Sequence, residues 1–375
     1  GDDVTDEDAF RALGSTGFSA VVGGGDRETS AETRLENVDE VGEFLKELAV
    51  TLKEGGDWSL TYYGYEPADE GLRESLCALG NGYFVTRGCA PEASADGVHY
   101  PGTYMAGLYN RLKTDIADRT VENEDLVNVT NWLPLEFRLP GNDWFSLDDV
   151  EILYYKQCLD MKRGVLNRLV RFKTEDGKKT HLVQRRLVHM ENMHLASLET
   201  KIIPENWSGE IFVKSALDGR VENKGVERYS QLSSKHLEPS GQEQIASDSM
   251  LLKPRTNQSN ITISTAARTK VFRNERPVNL ERELETGEGY IAHRFSVDVS
   301  SGSELLLEKT VAVYTSRDHA STNSWLEAEK TVKSSPRFSE LLSSNEVSWK
   351  YVWKRFDIMM DLEGEPGEPA ISKTL

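Results

Sequence analysis

Val165-Leu166-Asn167-Arg168-Leu169-Val170-Arg171-Phe172 and His181-Leu182-Val183-Gln184-Arg185-Arg186-Leu187-Val188, separated by Glu175-Asp176-Gly177-Lys178, decide how this chain is read. Both runs are rich in Leu and Val interleaved with polar residues at a period near two. An Asp-Gly between such runs supplies the positive φ of a hairpin turn. Two strands joined this tightly pair antiparallel. Further runs of the same kind lie at Leu195 to Ile203, Glu210 to Ser215, Asn260 to Thr265, Gly289 to Val297 and Leu305 to Tyr314. Regular strands and turns from Trp58 to Thr315 predict a mainly β fold, a large antiparallel super-β-sandwich.

Outward from the strands the period changes on both sides. Val41, Phe44, Leu45 and Leu48 recur at i, i+3, i+4 and i+7 and predict a helix, which gives way to Lys53-Glu54-Gly55-Gly56-Asp57, a polar Gly-rich seam of the kind that joins domains. After Thr315 the pattern is helical again, with Trp349 and Trp353 one turn apart on one face, and Glu363-Gly364-Glu365-Pro366-Gly367-Glu368-Pro369 reads as an acidic loop. The expected organisation is a small α/β remnant over 1–52, a linker over 53–57, the sandwich over 58–316 and helices over 317–375.

Composition narrows the function. A formal net charge of -18 over 375 residues argues against nucleic acid or an anionic membrane as a partner, because binding phosphate backbones takes a basic face. No apolar run is long enough for a signal peptide or a membrane span. Cys77, Cys89 and Cys158 are an odd set without C-x-x-C spacing, and no H-x-x-x-H pair occurs, which argues against zinc and a disulfide framework and points to the cytoplasm. Sequons at Asn128, Asn206, Asn257 and Asn260 have no accompanying secretion signal. Gly23-Gly24-Gly25 lacks the Lys and hydroxyl residue of a P-loop.

The candidate metal ligands lie at the start. In Gly1-Asp2-Asp3-Val4-Thr5-Asp6-Glu7-Asp8-Ala9-Phe10, two adjacent acids after a Gly suit Mg2+, one carboxylate on the ion and one behind it. Thr5 suits a helix N-cap, with Asp6, Glu7 and Asp8 in the first turn, where the dipole favours negative charge. This string resembles the fourth motif of the trehalose-6-phosphate phosphatases of the haloacid dehalogenase superfamily. Phe18-Ser19-Ala20-Val21-Val22 as a buried strand, and Asp26-Arg27-Glu28-Thr29 with Ala31, continue the resemblance. It implies that Asp2 is a Mg2+ ligand and Asp3 its supporting second carboxylate. The phosphatase nucleophile is then expected upstream of Gly1, and the chain is expected to begin inside a domain.

The sandwich region resembles the N-terminal domain of glycoside hydrolase family 65, which holds trehalose, maltose and kojibiose phosphorylases and some trehalose hydrolases. The resemblance rests on Glu74-Ser75-Leu76-Cys77-Ala78-Leu79-Gly80-Asn81-Gly82-Tyr83 with Arg87-Gly88, on Tyr100-Pro101-Gly102-Thr103-Tyr104-Met105-Ala106-Gly107-Leu108-Tyr109, and on Asn131-Trp132-Leu133-Pro134. Leu159-Asp160-Met161-Lys162-Arg163-Gly164-Val165-Leu166, Ser215-Ala216-Leu217-Asp218-Gly219 with Asn223, and Ser316-Arg317-Asp318 extend it over almost the whole stretch. Read locally, most of these strings serve folding: Asn81-Gly82 and Asp218-Gly219 suit turns, and Gly102 and Gly107 suit close backbone approach. Tyr100, Tyr104, Tyr109 and Trp132 have the chemistry to stack on a pyranose, but at strand spacing packing is the expected role.

The resemblance implies a galactose mutarotase-like sandwich that packs on an (α/α)6 catalytic barrel and takes part in a homodimer. The catalytic Glu of that barrel is expected beyond Leu375, so no glycosidic catalyst is assigned here. The expected whole is a bifunctional protein, a trehalose-6-phosphate phosphatase fused to a family 65 phosphorylase or hydrolase. Its partners would be carbohydrates such as trehalose, trehalose-6-phosphate or another α-glucosyl disaccharide, with Mg2+ for the phosphatase part and inorganic phosphate as co-substrate of a phosphorylase. The alternatives are a noncatalytic carbohydrate-binding or scaffolding sandwich, and a family 65 enzyme fused to a β-phosphoglucomutase-like phosphatase.

Overall fold

The computed structural model describes residues 20–22, 33–35, 58–116, 119–223, 232–319 and 322–356. The chain divides into two compact units, Gly1–Ser59 and Leu60–Leu375. In the first, β1 (Ala20–Val22) pairs in parallel with β2 (Thr33–Leu35), Val21 opposite Arg34. Asp2, Asp3, the helix expected around Val41 to Leu48, the linker 53–57 and the acidic loop after Phe356 lie outside the described residues.

The second unit runs through β3 (Ser59–Tyr63), α1 (Pro67–Leu76), β4 (Leu79–Gly80), β5 (Phe84–Thr86), β6 (Thr103–Ile116), β7 (Arg119–Asn128), β8 (Leu135–Arg138), β9 (Glu151–Asp160), β10 (Val165–Lys173) and β11 (Lys179–Val188). It continues with β12 (Leu195–Pro204), β13 (Gly209–Asp218), β14 (Leu237–Ala246), β15 (Ser249–Thr256), β16 (Ile263–Arg273), β17 (Arg276–Pro277), β18 (Glu283–Gly287), β19 (Tyr290–Val299) and β20 (Leu305–Thr315), then α2 (Ser324–Ser334) and α3 (Phe338–Phe356). The large sheet has the order β14-β15-β16-β20-β12-β11-β10-β9-β3, with β17 on β16. Two smaller sheets have the orders β18-β19-β13-β8 and β4-β5-β6-β7. The fold is mainly β and antiparallel.

The 165–188 hairpin forms as its sequence predicts, with Val165 opposite Leu187, Lys173 opposite Lys179 and Gly177 at φ +87 in the turn. The strand expected from Asn260 begins at Ile263, because Asn260 is at φ +55 in the turn before it. Helix α1 departs from the all-strand reading of this region. Pro67 opens it and Asp69 and Glu70 occupy its first turn, but its buried residues are Glu70, Arg73 and Glu74, while Leu72 and Leu76 are exposed. A helix that buries charge carries no apolar period to read.

The inner face of the large sheet and the two smaller sheets share one core. Leu182, Leu198, Ile202, Leu307 and Val311 meet Ile211, Val213, Ile291 and Phe295 from one small sheet and Phe84, Met105 and Val127 from the other. The outer face is covered by the terminal helices, where Ala328, Val332, Phe338, Leu341 and Leu342 pack on Val165, Leu187, Leu195 and Ala312. Covered on both sides, β20 is buried at every position except Tyr314, its apolar residues interrupted by the buried polar stretch Glu308-Lys309-Thr310.

Candidate functional site

The inner face of the large sheet carries buried polar side chains, and these position a cleft. Arg186 donates to the carbonyls of Cys89 (2.8 Å) and Arg87 (3.2 Å). Lys309, fully buried, donates to the carbonyls of Pro134 (2.9 Å) and Ala216 (2.7 Å). Arg168 Nη1 donates to Gln184 (2.7 Å) and ion-pairs with Glu92 Oε1 (2.6 Å), both side chains only 5% exposed. Burial works against the Arg168 cation, but the facing Glu92 carboxylate outweighs it and keeps the guanidinium protonated. Burial likewise pulls Lys309 well below its ordinary pKa. These three side chains clamp the 87–92 loop, Pro134 and β13 to the sheet.

The loops so held enclose a cleft of about 510 Å³. One wall is the loop carrying Glu92 and Ala93, another the segment Tyr100-Pro101, and a third is β13 with Lys214 and Asp218. Asn131 and Asp218 exchange backbone hydrogen bonds (2.8 and 3.0 Å), and the Asn131 side chain accepts from Leu133 N at 3.1 Å, shaping the turn that presents Pro134. Asp218 takes Arg220 in two-point contact (2.9 and 2.7 Å), and the guanidinium lies 4.4 Å above the Tyr290 ring. Glu136 pairs with Lys214 at 2.8 Å. Asn223 ties the rim together, accepting from Asn128 N (2.9 Å) and donating to Leu126 O (2.8 Å), while Asn128 Nδ2 donates to Glu222 O (3.2 Å). Asn128, a sequon asparagine, is thereby buried in the framework.

The strings singled out in the sequence fall into two places. The segments around Tyr100, Asn131 and Asp218 converge on this cleft. Of the four candidate stacking aromatics only Tyr100 lines it; Trp132 is fully buried with its indole donating to Thr86 (2.9 Å), Tyr104 bonds Tyr100 through their hydroxyls (2.9 Å), and Tyr109 is exposed elsewhere on β6. Sequence reading missed Glu92, Glu136, Lys214, Arg220 and Tyr290. Lys214 and Arg220 directly flank Ser215 to Gly219, and Glu136 follows Pro134 by two residues, so extending each string by two positions would have found three of them.

The remaining strings meet at the base of α3. Asn81 donates to the carbonyls of His189 (2.8 Å) and Met193 (2.9 Å), with Gly82 at φ +85 beside it, and Tyr83 bonds both Asp318 oxygens (2.9 and 2.8 Å). Asn345 of α3 donates to Arg163 O (2.7 Å) and accepts from Met190 N (2.9 Å), Trp353 donates to Met161 O (3.0 Å), and Trp349 stacks on Trp353 at 5.6 Å.

A third cluster groups three metal-ligating residue types, Glu74, Cys89 and His99, within 4.8 Å. The Glu74 carboxylate already accepts from His99 Nδ1 (2.9 Å) and Tyr100 N (3.0 Å), so this is an ion-pair hub that fixes α1 to the 99–100 segment. Burial alone would depress His99, but Glu74 outweighs it and raises the His99 pKa. All three cysteines are buried thiols that form no disulfide. Among the described residues no helix is long and apolar enough to cross a membrane.

Comparison with known proteins agrees with this architecture. The model of the glycosyl hydrolase family 65 N-terminal domain matches residues 60–352. An uncharacterized glycosyl hydrolase of Mycobacterium tuberculosis is 42% identical over 375 residues, 98% of this chain and 28% of that protein. The kojibiose phosphorylase of Halothermothrix orenii is 29% identical over 298 residues (76% of this chain, 35% of that protein), and the trehalose 6-phosphate phosphorylase of Lactococcus lactis 29% over 311 (82% and 38%). A solved structure described as a kojibiose phosphorylase from the human microbiome shares the fold at a TM-score of 0.68 and 18% identity, covering 82% of this chain and 39% of that one. The chain thus spans between about a quarter and two fifths of the lengths of these relatives. It belongs to glycosyl hydrolase family 65 and carries that family's N-terminal domain.

Proposed function

We propose that the chain is the accessory N-terminal part of an enzyme that cleaves α-glucosyl disaccharides, by phosphorolysis with inorganic phosphate as co-substrate or by hydrolysis, in the cytoplasm. The observation that carries this is the family match over 60–352, together with relatives named for phosphorolysis of kojibiose and of trehalose 6-phosphate. Inverting cleavage needs an acid on the leaving oxygen and a nucleophile on the opposite face. Of the carboxylates lining the cleft, Glu92, Glu136 and Asp218 are paired with Arg168, Lys214 and Arg220 respectively, which suits holding better than proton transfer. This supports reading the sandwich as an accessory domain, with the catalytic carboxylate in the barrel that the family resemblance implies.

The finer reading adds a trehalose-6-phosphate phosphatase ahead of the sandwich, with Asp2 on Mg2+ and Asp3 behind it. It rests on the Gly1 to Phe10 string and is compatible with a M. tuberculosis relative whose alignment takes in 98% of this chain.

The test is turnover by a longer parent protein carrying sequence on both sides. The parent is expected to consume trehalose, kojibiose or maltose, releasing glucose 1-phosphate when phosphate is supplied, whereas this chain alone releases nothing. Turnover that tracks the concentration of this chain alone would sink the accessory role. A folded parent inert on all three sugars would sink the family activity. In the same parent, Asp2→Asn is expected to abolish Mg2+-dependent phosphatase activity and Asp3→Asn to lower it by roughly ten- to a hundredfold. Full activity in Asp2→Asn removes the metal assignment.

A further inference from the structure

We infer that His189 is an acid-sensitive latch between the β11–β12 loop and helix α3, closed while its imidazole is neutral and opened when the ring takes a second proton. The latch concerns the conformation of this chain and does not depend on the accessory role proposed above.

The hydrogen bonds fix the state of the ring. Asn192 N donates to His189 Nδ1 at 2.9 Å, and a backbone amide can only donate, so Nδ1 carries a lone pair and Nε2 carries the proton. Nε2 lies 2.8 Å from Ser344 Oγ on α3. The Ser344 hydroxyl hydrogen is directed at the carbonyls of Glu340 (3.2 Å) and Leu341 (3.1 Å), which leaves its oxygen to accept from Nε2–H. His189 is only 3% exposed, so a second proton cannot be met by bulk water. Placed on Nδ1, it would point straight at the Asn192 N–H, two donors facing each other with no acceptor between them.

Both α3 and the β4–β5 turn lean on this one loop. Bonds from His189 N to Leu195 O (2.9 Å) and from Leu195 N to Asn192 O (3.0 Å) close it. Asn81 of the β4–β5 turn donates to His189 O and Met193 O, and Met190 N donates to Asn345 Oδ1 of α3. Opening the loop at Asn192 therefore weakens the hold on α3 through Ser344 and Asn345 together. Burial lowers the His189 pKa, against Glu191 of the same loop, which is exposed, and the Leu341 carbonyl of α3, which both favour the cation. Of the other α3 carboxylates near the loop, Glu346 is paired with Arg163 (2.5 Å) and Glu340 accepts from Arg337 N (3.5 Å). The β4–β5 turn faces the loop with Asn81, which does not titrate. With its closed-state pKa below the ordinary 6.5, the ring binds a proton more tightly once the loop is open. The closed form is fully favoured above about pH 6.5 and loses up to about tenfold per pH unit as pH falls from there to the closed-state pKa.

The test is amide hydrogen exchange of this chain at pH 7.5 and 5.0, corrected for the intrinsic pH dependence of exchange. Residues 190–195 and 341–353 should lose protection by about five- to thirtyfold at pH 5.0, the larger figure being the full linkage to one group with an open-state pKa of about 6.5. His189→Gln, whose amide can still donate to Ser344 but does not titrate, should abolish that difference. The buried His236 and His293 remain in the variant, so any acid effect of theirs is common to both proteins. Slow deuteration at the imidazole Cε1–H, read peptide by peptide in the unmutated chain, should give His189 a pKa below 6.5, and this measurement decides the matter if the variant fails to fold. The proposal is overturned if the unmutated chain shows equal protection of both segments at the two pH values. A loss of protection that persists undiminished in His189→Gln, or a His189 pKa of 6.5 or higher, overturns it as well.

Discussion

Gly164→Ala is the sharpest single perturbation the structure offers, because two independent costs meet at one hydrogen. Gly164 sits at φ +63 in the turn between β9 and β10, a conformation that costs an L-residue about 1–2 kcal/mol. A Cβ built there would lie 2.0 Å from Trp349 Nε1 and 2.5 Å from its Cε2, far inside contact, so the indole must leave its seat. Displacement forfeits the stacking of Trp349 on Trp353, about 0.5–1.5 kcal/mol. The sum, about 2–3 kcal/mol, corresponds to a roughly 30- to 150-fold change in a local opening equilibrium. The loss should be confined to the second half of α3, since Phe338, Leu341, Leu342 and Asn345 hold its first half in buried contacts. Amide hydrogen exchange of residues 349–356 should therefore accelerate by that factor while residues 338–345 keep their protection, and tryptophan emission should shift to the red. In a Trp349→Ala background the steric part should vanish, leaving only the backbone cost. Unchanged exchange at 349–356 in Gly164→Ala, or equal effects in both backgrounds, would refute the reasoning.

Two further outcomes concern buried charge. Lys309→Met should leave stability at neutral pH unchanged or raised, since a fully buried amine held by two carbonyls is exchanged for a side chain of similar size. Its folded pKa lies well below 10.5, so below that pH the unfolded chain binds the extra proton and stability rises with pH, by up to about 1.4 kcal/mol per unit. Urea melts of Lys309→Met over neutral to alkaline pH should show that slope reduced, and identical slopes would exclude the assignment. His99 behaves oppositely: its pKa is raised by Glu74, so its contribution is complete below about 6.5 and is lost as pH rises through the folded value. His99→Gln should flatten this part of the stability profile, and a profile indistinguishable from the unmutated chain would show that the pair contributes nothing.

How much could be read from sequence follows from what each element buries. The hairpin of β10 and β11 was legible because its turn needs Gly177 and its polar residues fall at regular intervals. β12, β19 and β20 were legible as stretches rich in Leu, Ile, Val and Ala, mixed with polar residues and bounded by turn residues. Helix α1 was not, because it turns Glu70, Arg73 and Glu74 inward and leaves Leu72 and Leu76 in solvent, the reverse of the pattern that marks a helix. The cleft was only half legible: Tyr100, Asn131 and Asp218 stood out within strings and Lys214 lies next to one of them, but Glu92 and Tyr290 come from separate segments that only the fold brings together. A pair such as Arg168 and Glu92, 76 positions apart, has no local signature.

The division of the family's strings between two places has a mechanical consequence. Helix α3 presents Val347, Tyr351 and Phe356 to solvent and buries few apolar side chains beyond its first two turns. Apolar area alone is non-directional and would let such a helix pivot. Its direction is set instead by bonds of defined geometry: Asn345 to Arg163 O and Met190 N, Ser344 to His189 at 2.8 Å, Arg163 to Glu346 at 2.5 Å and Trp353 to Met161 O. The same His189 segment is held by Asn81, whose neighbour Tyr83 grips Asp318 at the end of β20. Polar contacts of this kind fix an angle as well as a distance, and they join the start of the sandwich, its exit strand and the departing helix into one network. A domain whose task is to hold a following helix in a set direction needs such a network more than it needs additional apolar burial, and this requirement accounts for Asn81, Gly82, Gly164 and Asp318 without assigning any of them to chemistry.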